Sequence, residues 1–156
     1  MNSQAIEDLN ALLQIELAAN ETYKQALSKF KDHHTVEILH RAQQSHLERA
    51  NKLRSVVVNL KGTAIEDIGI GGKFAKLVID GADKIGDKAI VIALQADEGE
   101  WTANYEWRLV SMHGDYRPMV KDELLPQQKE TEGKLSELAN AATDGLWPAT
   151  PGTKDI

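Results

Sequence analysis

Residues 13–27 read LQIELAANETYKQAL, and in the second half of the chain residues 95–109 read QADEGEWTANYEWRL. In the first stretch apolar residues return every three or four positions, the spacing that gathers them on one side of an α-helix. Leu9, Leu12, Ala19, Ala26 and Phe30 lie on that stripe, and so do Glu16 and Tyr23. A carboxylate on a buried face is costly unless something neutralises it or donates hydrogen bonds to it. What Glu16 faces therefore bears on both the fold and the chemistry.

A shift of 82 positions, the separation of Glu16 from Glu98, supplies part of the answer. It places Ala11, Leu12, Glu16, Tyr23 and Leu27 on Ala93, Leu94, Glu98, Tyr105 and Leu109. It also places Glu48, Lys52 and Leu53 on Glu130, Lys134 and Leu135, and His46 on Gln128. The repeated Glu-x6-Tyr on a buried stripe is its most specific part. The chain reads as two helical hairpins of common design, about 4–60 and 87–142, each supplying half a core. In a pseudo-twofold arrangement matched positions meet at similar depth. Glu16 is thus expected to face Glu98, with His46 and Gln128 beside them. Tyr23 and Tyr105, about 10 Å along each helix from the carboxylates, are expected to reach the opposite hairpin's carboxylate as a supporting layer.

The remaining elements follow from pattern and punctuation. Asn2 or Ser3 is placed to cap a first helix that starts near Gln4 and runs to about Phe30. After the polar break KDHHT, Asp32 or Thr35 is placed to cap a second, with the stripe Leu39, Ala42, His46, Ala50, Leu53, Val57 and Leu60. So short a loop makes the two helices antiparallel neighbours. KGTAIEDIGIGG (61–72) reads as a crossover and FAKLVIDGADKI (74–85) as a short helix within it. A third long helix begins near Asp87, with the stripe Ile90, Leu94, Glu98, Trp101, Tyr105, Leu109 and Met112. Pro118 suits the first turn of a fourth helix, which carries Val120 or Lys121, Leu124, Gln128, Thr131, Leu135 and Leu138. Pro126, inside it, predicts a kink or the helix's true start. Residues 143–156 read as a tail that Trp147 is able to dock. The fold class expected is all-α: a ferritin-like antiparallel four-helix bundle over 1–142, with a long middle crossover carrying one short extra helix.

Composition bounds the function. The chain has 156 residues, one domain's worth, and a net charge of -6, which argues against a nucleic-acid footprint. It has no cysteine, which excludes disulfides, thiolate metal sites and cysteine nucleophiles. No apolar run approaches the roughly 20 residues of a membrane span, and the N-terminus lacks the basic and apolar regions of a secretory signal. A cytoplasmic protein without membrane or nucleic-acid partners is the expectation.

At Glu16 with Tyr23, QQSH (43–46) and Glu98 with Tyr105, the sequence resembles the ferritin-like superfamily from about Ala5 to Ala142. Within it the chain looks most like a bacterial ferritin-like family described only as a domain of unknown function, DUF2383. The likeness includes NLKGTAIEDIGIGG after the second helix and ADEGEWTANYEWRL in the third. Ferritin-like di-iron proteins take one Glu from each of two helices and a Glu-x-x-His from each of the others. The resemblance places Glu16 and Glu98 as the lone glutamates, Gln43 with His46 as the first pair, and Leu125 with Gln128 as the second. Two carboxylates and one imidazole remain, with Gln43 and Gln128 as weaker polar neighbours.

Two functions stay open on this evidence. In one, Glu16, His46 and Glu98 hold a single Fe, Mn or Zn ion, aided by Gln43 and Gln128, in a protein tied to metal handling or oxidative stress. In the other, the ancestral site is lost, no ion is bound, and the same residues form a hydrogen-bonded core network in a non-enzymatic structural or interaction protein. Whether the chain is an enzyme is left open, and no Ser-His-Asp order supports a hydrolase. Glu37 and His40 lie off the stripe and read as an exposed helical pair. His33 and His34 read as a loop, and His113 as a helix-end complement. GIGGKF lacks the spacing of a phosphate loop. In the acidic run, a solvated face accounts for Glu100 and Asp97 but not for Glu98. A homodimer is a candidate assembly, through exposed Val56, Val58 or Trp107.

Overall fold

The computed structural model describes residues 2–66, 72, 74–76 and 86–144. The described chain is helical, with no strand. Four long helices carry it: α1 (Ser3–Leu27), α2 (His33–Asn59), α3 (Asp87–Ser111) and α4 (Leu125–Thr143). The expected stripes are the buried faces: Leu9, Leu12, Glu16, Ala19, Tyr23, Ala26 and Phe30 from the first helix, and Leu39 through Leu60 from the second. None of the described helices is long and apolar enough to cross a membrane.

Local chemistry sets the helix ends. The Asp32 side chain accepts from Thr35 N–H at 3.0 Å, so Asp32 is the cap of α2. Asn2 occupies the capping position of α1 without a side-chain capping bond. His33 and His34 are the first residues of α2 rather than a loop. At the other end of α2, Lys61 N–H donates to Val58 O and Gly62 N–H to Val57 O, at 2.9 and 3.0 Å. This pairing satisfies the last carbonyls and needs a left-handed residue at Lys61, where φ is 66°. A Cβ on Gly62 would lie 2.9 Å from Ile6, so the turn packs only with glycine there.

Pro118 lies in the first turn of Arg117–Met119, and a π-helical stretch, Val120–Leu124, joins that turn to α4. Pro126 sits in the first turn of α4. The wider π turn accommodates a proline that could not fit inside an uninterrupted α-helix. Of the two expectations for Pro126, its place in the first turn of α4 agrees with a helix start.

The helices pack first as hairpins, α1 on α2 and α3 on α4, then α2 on α4 and α1 on α3. Side-chain pairs give the directions. Tyr23 meets Glu98 while Asp8 meets Arg108, so α1 and α3 are antiparallel. Ser45 meets Thr131 while Lys52 meets Glu123, so α2 and α4 are antiparallel. Helix α2 therefore runs parallel to α3, and the chain between them must travel back along the length of the helices. Asn10 anchors the start of that crossover, donating to Thr63 O at 2.9 Å and accepting from Ile65 N–H at 3.0 Å. Asp97 anchors its middle, accepting from Phe74 N–H at 3.1 Å. Gly72, at φ 96°, passes so near that a Cβ would stand 2.4 Å from the Asp97 carboxylate. Asp97 is thus buried and structural, which corrects its reading as a solvated residue. Of the expected crossover helix, 74–76 is helical, and 77–85 lies outside the described residues, as does the tail with Trp147.

Two apolar clusters fill the interior. One includes Leu9, Leu12, Leu13, Leu53, Val57, Leu109 and Leu124. The other includes Ala26, Phe30, Leu39, Phe74, Ile90, Leu94 and Leu135. Between them lies a layer of buried polar side chains. Lys61→Gly is expected to raise unfolding stability by about 0.5–1 kcal/mol, since glycine removes the left-handed strain. Chemical denaturation of the two proteins measures it.

Candidate functional site

Each long helix contributes to the polar layer at the point where its apolar stripe is interrupted. Helix α1 supplies Glu16, α2 supplies His46 and Arg49, α3 supplies Glu98 and Thr102, and α4 supplies Gln128 and Thr131, all buried. His46 bridges the two carboxylates. Its Nδ1 lies 3.0 Å from Glu16 Oε1 and its Nε2 lies 2.7 Å from Glu98 Oε2. Arg49 completes the layer. Its Nε donates to Glu16 Oε2 at 2.5 Å, its Nη2 donates to Gln128 Oε1 at 2.9 Å, and its Nη1 donates to Ser45 Oγ. Gln128 Nε2 in turn donates to Glu98 Oε1 at 2.8 Å and to Thr102 Oγ1 at 3.2 Å. Tyr23 O–H donates to Glu98 Oε2 at 2.5 Å.

The charges balance. Burial alone would disfavour the imidazolium of His46, but Glu98 and Glu16 outweigh that and hold its pKa up at about 9. Burial likewise opposes ionisation of Glu98, yet His46, with hydrogen bonds from Tyr23 and Gln128, keeps its pKa below the ordinary carboxylate value. The layer thus sets the carboxyl groups of Glu16 and Glu98 around the His46 ring and the Arg49 guanidinium. Arg49 Nη2 stands 3.0 Å from His46 Nδ1, a contact between cations that Glu16 offsets by accepting from both. Burial, then Glu98, pushes the Tyr23 hydroxyl well above its usual pKa, so it stays protonated as a donor.

The structure brings together Glu16, His46, Glu98 and Gln128, as the repeat predicted. Tyr23 reaches the opposite carboxylate as expected. Its counterpart does not: the Tyr105 hydroxyl is buried near Glu16 and Arg49 without completing a hydrogen bond. Gln43 is half-buried, and no described hydrogen bond joins it to the layer. Glu37 is exposed and paired with Arg41 at 2.8 Å, and His40 is exposed. The residue sequence reasoning missed is Arg49. Its signal was a charge deficit: two buried carboxylates against one imidazolium require another cation, and Arg49 lies one turn from His46 on the same face.

Ser45 and Thr131, hydrogen-bonded to each other at 3.1 Å, form part of the lining of a groove of about 780 Å³ between α2 and α4. Ser45 also accepts from Arg49, so this hydroxyl pair separates the guanidinium from the groove.

A divalent ion placed among Glu16, His46 and Glu98 would meet a donor set already engaged. All four carboxylate oxygens accept hydrogen bonds, both imidazole nitrogens face carboxylates, and the Arg49 guanidinium already pairs with Glu16. Among the described residues no group of three or more His, Asp or Glu side chains is arranged to hold a metal ion. As built, the residues do not fit the ion.

Fold and site together define an all-helical protein with a charge-balanced polar layer at mid-length. The chain belongs to the family described as Domain of unknown function (DUF2383), whose model matches residues 4–109. No curated protein and no solved structure gives a significant match.

Removing the Arg49 cation leaves Glu16 buried with an unmet charge. Arg49→Met is expected to cost about 3–5 kcal/mol in unfolding free energy, against well under that for exposed Arg41→Met, measured by urea titration. The pH dependence has a defined sign. Because the folded pKa of His46 is raised from 6.5 to about 9, its stabilisation is complete below pH 6.5 and is lost as pH rises through 9. Glu98, with its pKa lowered, contributes above the unfolded carboxylate range and loses that contribution in acid. Melting temperature is expected to peak between these limits and fall toward pH 9–10, and His46→Gln is expected to flatten the alkaline fall.

Proposed function

We propose that this chain is a ferritin-like four-helix bundle that works as a non-enzymatic structural or interaction protein, its interior layer serving as a metal-free, hydrogen-bonded core network. The helix directions support the ferritin-like arrangement: α1 is antiparallel to α2 and α3, while α2 and α3 are parallel and joined by a crossover as long as the bundle. The observation that carries the functional reading is Arg49. A fixed side-chain cation already pairs with Glu16 and bonds Gln128, which supports a layer that needs no metal.

A buried polar layer of this kind contributes little net stability compared with apolar packing but fixes which helix faces meet and in what register. Here it joins all four helices through Glu16, His46, Glu98, Gln128 and Arg49. A slip of α1, α2 or α3 by one turn would carry a charged side chain toward one of the two apolar clusters, and a slip of α4 would take Gln128 from its partners.

The competing reading keeps Glu16, His46 and Glu98 as ligands to Fe, Mn or Zn, in metal handling or defence against oxidants. It requires Arg49 to leave the layer and His46 to lose its proton. Elemental analysis of untagged protein, purified without chelator and challenged anaerobically with iron(II), manganese and zinc, separates the two. The expected result is no stoichiometric metal and no change in melting temperature. Arg49→Ala is expected instead to gain thermal stability on adding manganese or zinc, because its pocket then lacks a cation. Stoichiometric metal in the wild type, lost in His46→Ala, would establish the metal reading.

A further inference from the structure

The hairpins meet along two sides, and the crossover follows one of them, between α1 and α3, where Asn10 and Asp97 hold it. The other side, between α2 and α4, is the groove of about 780 Å³ lined in part by Ser45 and Thr131. The Ser45–Thr131 and Lys52–Glu123 pairs set the register along it. Ile38 then stands level with Leu138, and together with Ala42 and Ala141 they make one end of the groove apolar. Toward the other end Glu48 and Glu130 stand on opposite rims, within about one helical turn of each other. Glu37 pairs with Arg41 at 2.8 Å and Lys134 with Glu137 at 3.9 Å. Among the described residues no hydrogen bond or ion pair reaches Glu48 or Glu130, both exposed. The groove therefore offers apolar surface at one end and two unpaired carboxylates at the other.

Residues 145–156 lie outside the described residues, and their sequence, GLWPATPGTKDI, has the complementary make-up in the matching order. The segment follows directly on α4, whose Ala141 lines the apolar end of the groove. Gly145 suits a reversal of the chain. Leu146 and Trp147 come next, where a returning chain meets the apolar end, and tryptophan is a frequent anchor in such a pocket. Lys154 follows further on and is the cation of the segment. Pro148 and Pro151, between them, favour an extended chain that needs no sheet partner. The length suffices. From Asp144 back to Glu130 α4 measures about 21 Å, and an extended chain from Asp144 to Lys154 spans up to about 33 Å.

We propose that the groove between α2 and α4 is an intramolecular docking site for residues 145–156, which turn back along it with Trp147 against Ile38, Ala42 and Leu138 and with Lys154 between Glu48 and Glu130. The docked segment covers the Ser45–Thr131 hydroxyl pair, and with it the side of the polar layer nearest the groove. One side of the bundle is then closed by the crossover and the other by this segment. The placement does not depend on whether the polar layer binds metal.

The test uses the full chain, whose lack of native cysteine lets one introduced pair report one proximity. Ala149→Cys is combined either with Arg41→Cys, on the exposed rim of the groove, or with Ile92→Cys, exposed on α3 at the same end of the bundle. In a glutathione redox buffer the bridge to position 41 is expected to form about tenfold faster than the bridge to position 92, because docking raises the effective concentration at the groove alone. The rate is expected to be independent of protein concentration. Trp147→Ser is expected to remove the preference. Lys154→Glu is expected to slow the bridge to position 41 by about 1.5–5-fold, the range of an exposed ion pair, and Glu130→Lys added to it is expected to restore the rate. Equal bridging at the two positions, a preference that survives Trp147→Ser, or a bridge indifferent to Lys154→Glu overturns the proposal.

Discussion

The structure depends on neutralising two carboxylates in the middle of an apolar interior. Glu16 and Glu98 cannot both be ionised there without cations close by. His46 alone leaves the layer one charge short, and Arg49 closes the deficit while hydrogen-bonding Gln128 on the fourth helix. The hydrophobic clusters on either side are generic in composition and would tolerate several alignments of the helices. On the function proposed for it, the ion-paired layer favours one.

The second constraint is topological. Parallel α2 and α3 oblige the chain to run the length of the helices between them, where it has no hairpin partner. Two polar side chains, half-buried Asn10 and buried Asp97, hold it in place. Asn10 binds the start, through Thr63 and Ile65, and Asp97 binds the middle, through Phe74 N–H. Phe74 then buries its ring in one of the two apolar clusters. Gly62 and Gly72 are required because the backbone at these points touches Ile6 and Asp97 with no room for a Cβ. The polar residues of α1 and α3 thus divide their work: Glu16 and Glu98 face the interior layer, while Asn10 and Asp97 face the crossover.

Much of this was legible from periodicity. A 3.6-residue stripe marks a buried face whatever the tertiary partner, and the 82-residue repeat showed that Glu16 and Glu98 occupy equivalent depths. His46 and Gln128 followed from the same register. Arg49 was not legible that way, because a long cationic side chain beside a stripe is usually solvated. Asp97 was hidden for a related reason: it accepts from the backbone N–H of Phe74, 23 positions away in the crossover, which leaves no pattern in the sequence. Val56, taken as exposed, is half-buried against the cluster that includes Leu9 and Leu53.

The sequence by itself determined the four long helices, their buried faces, the hairpin pairing and four of the five side chains that carry the polar layer. Those features rest on local propensity and on periodic burial, both of which act within one helix or one short loop. Only the tertiary structure decided which cation balances the carboxylates, which tyrosine finds a partner, and what pins the crossover. Each of those outcomes turns on the distance between atoms far apart in the chain. Arg49 lies 33 positions from Glu16 and 79 from Gln128, yet one guanidinium bonds both.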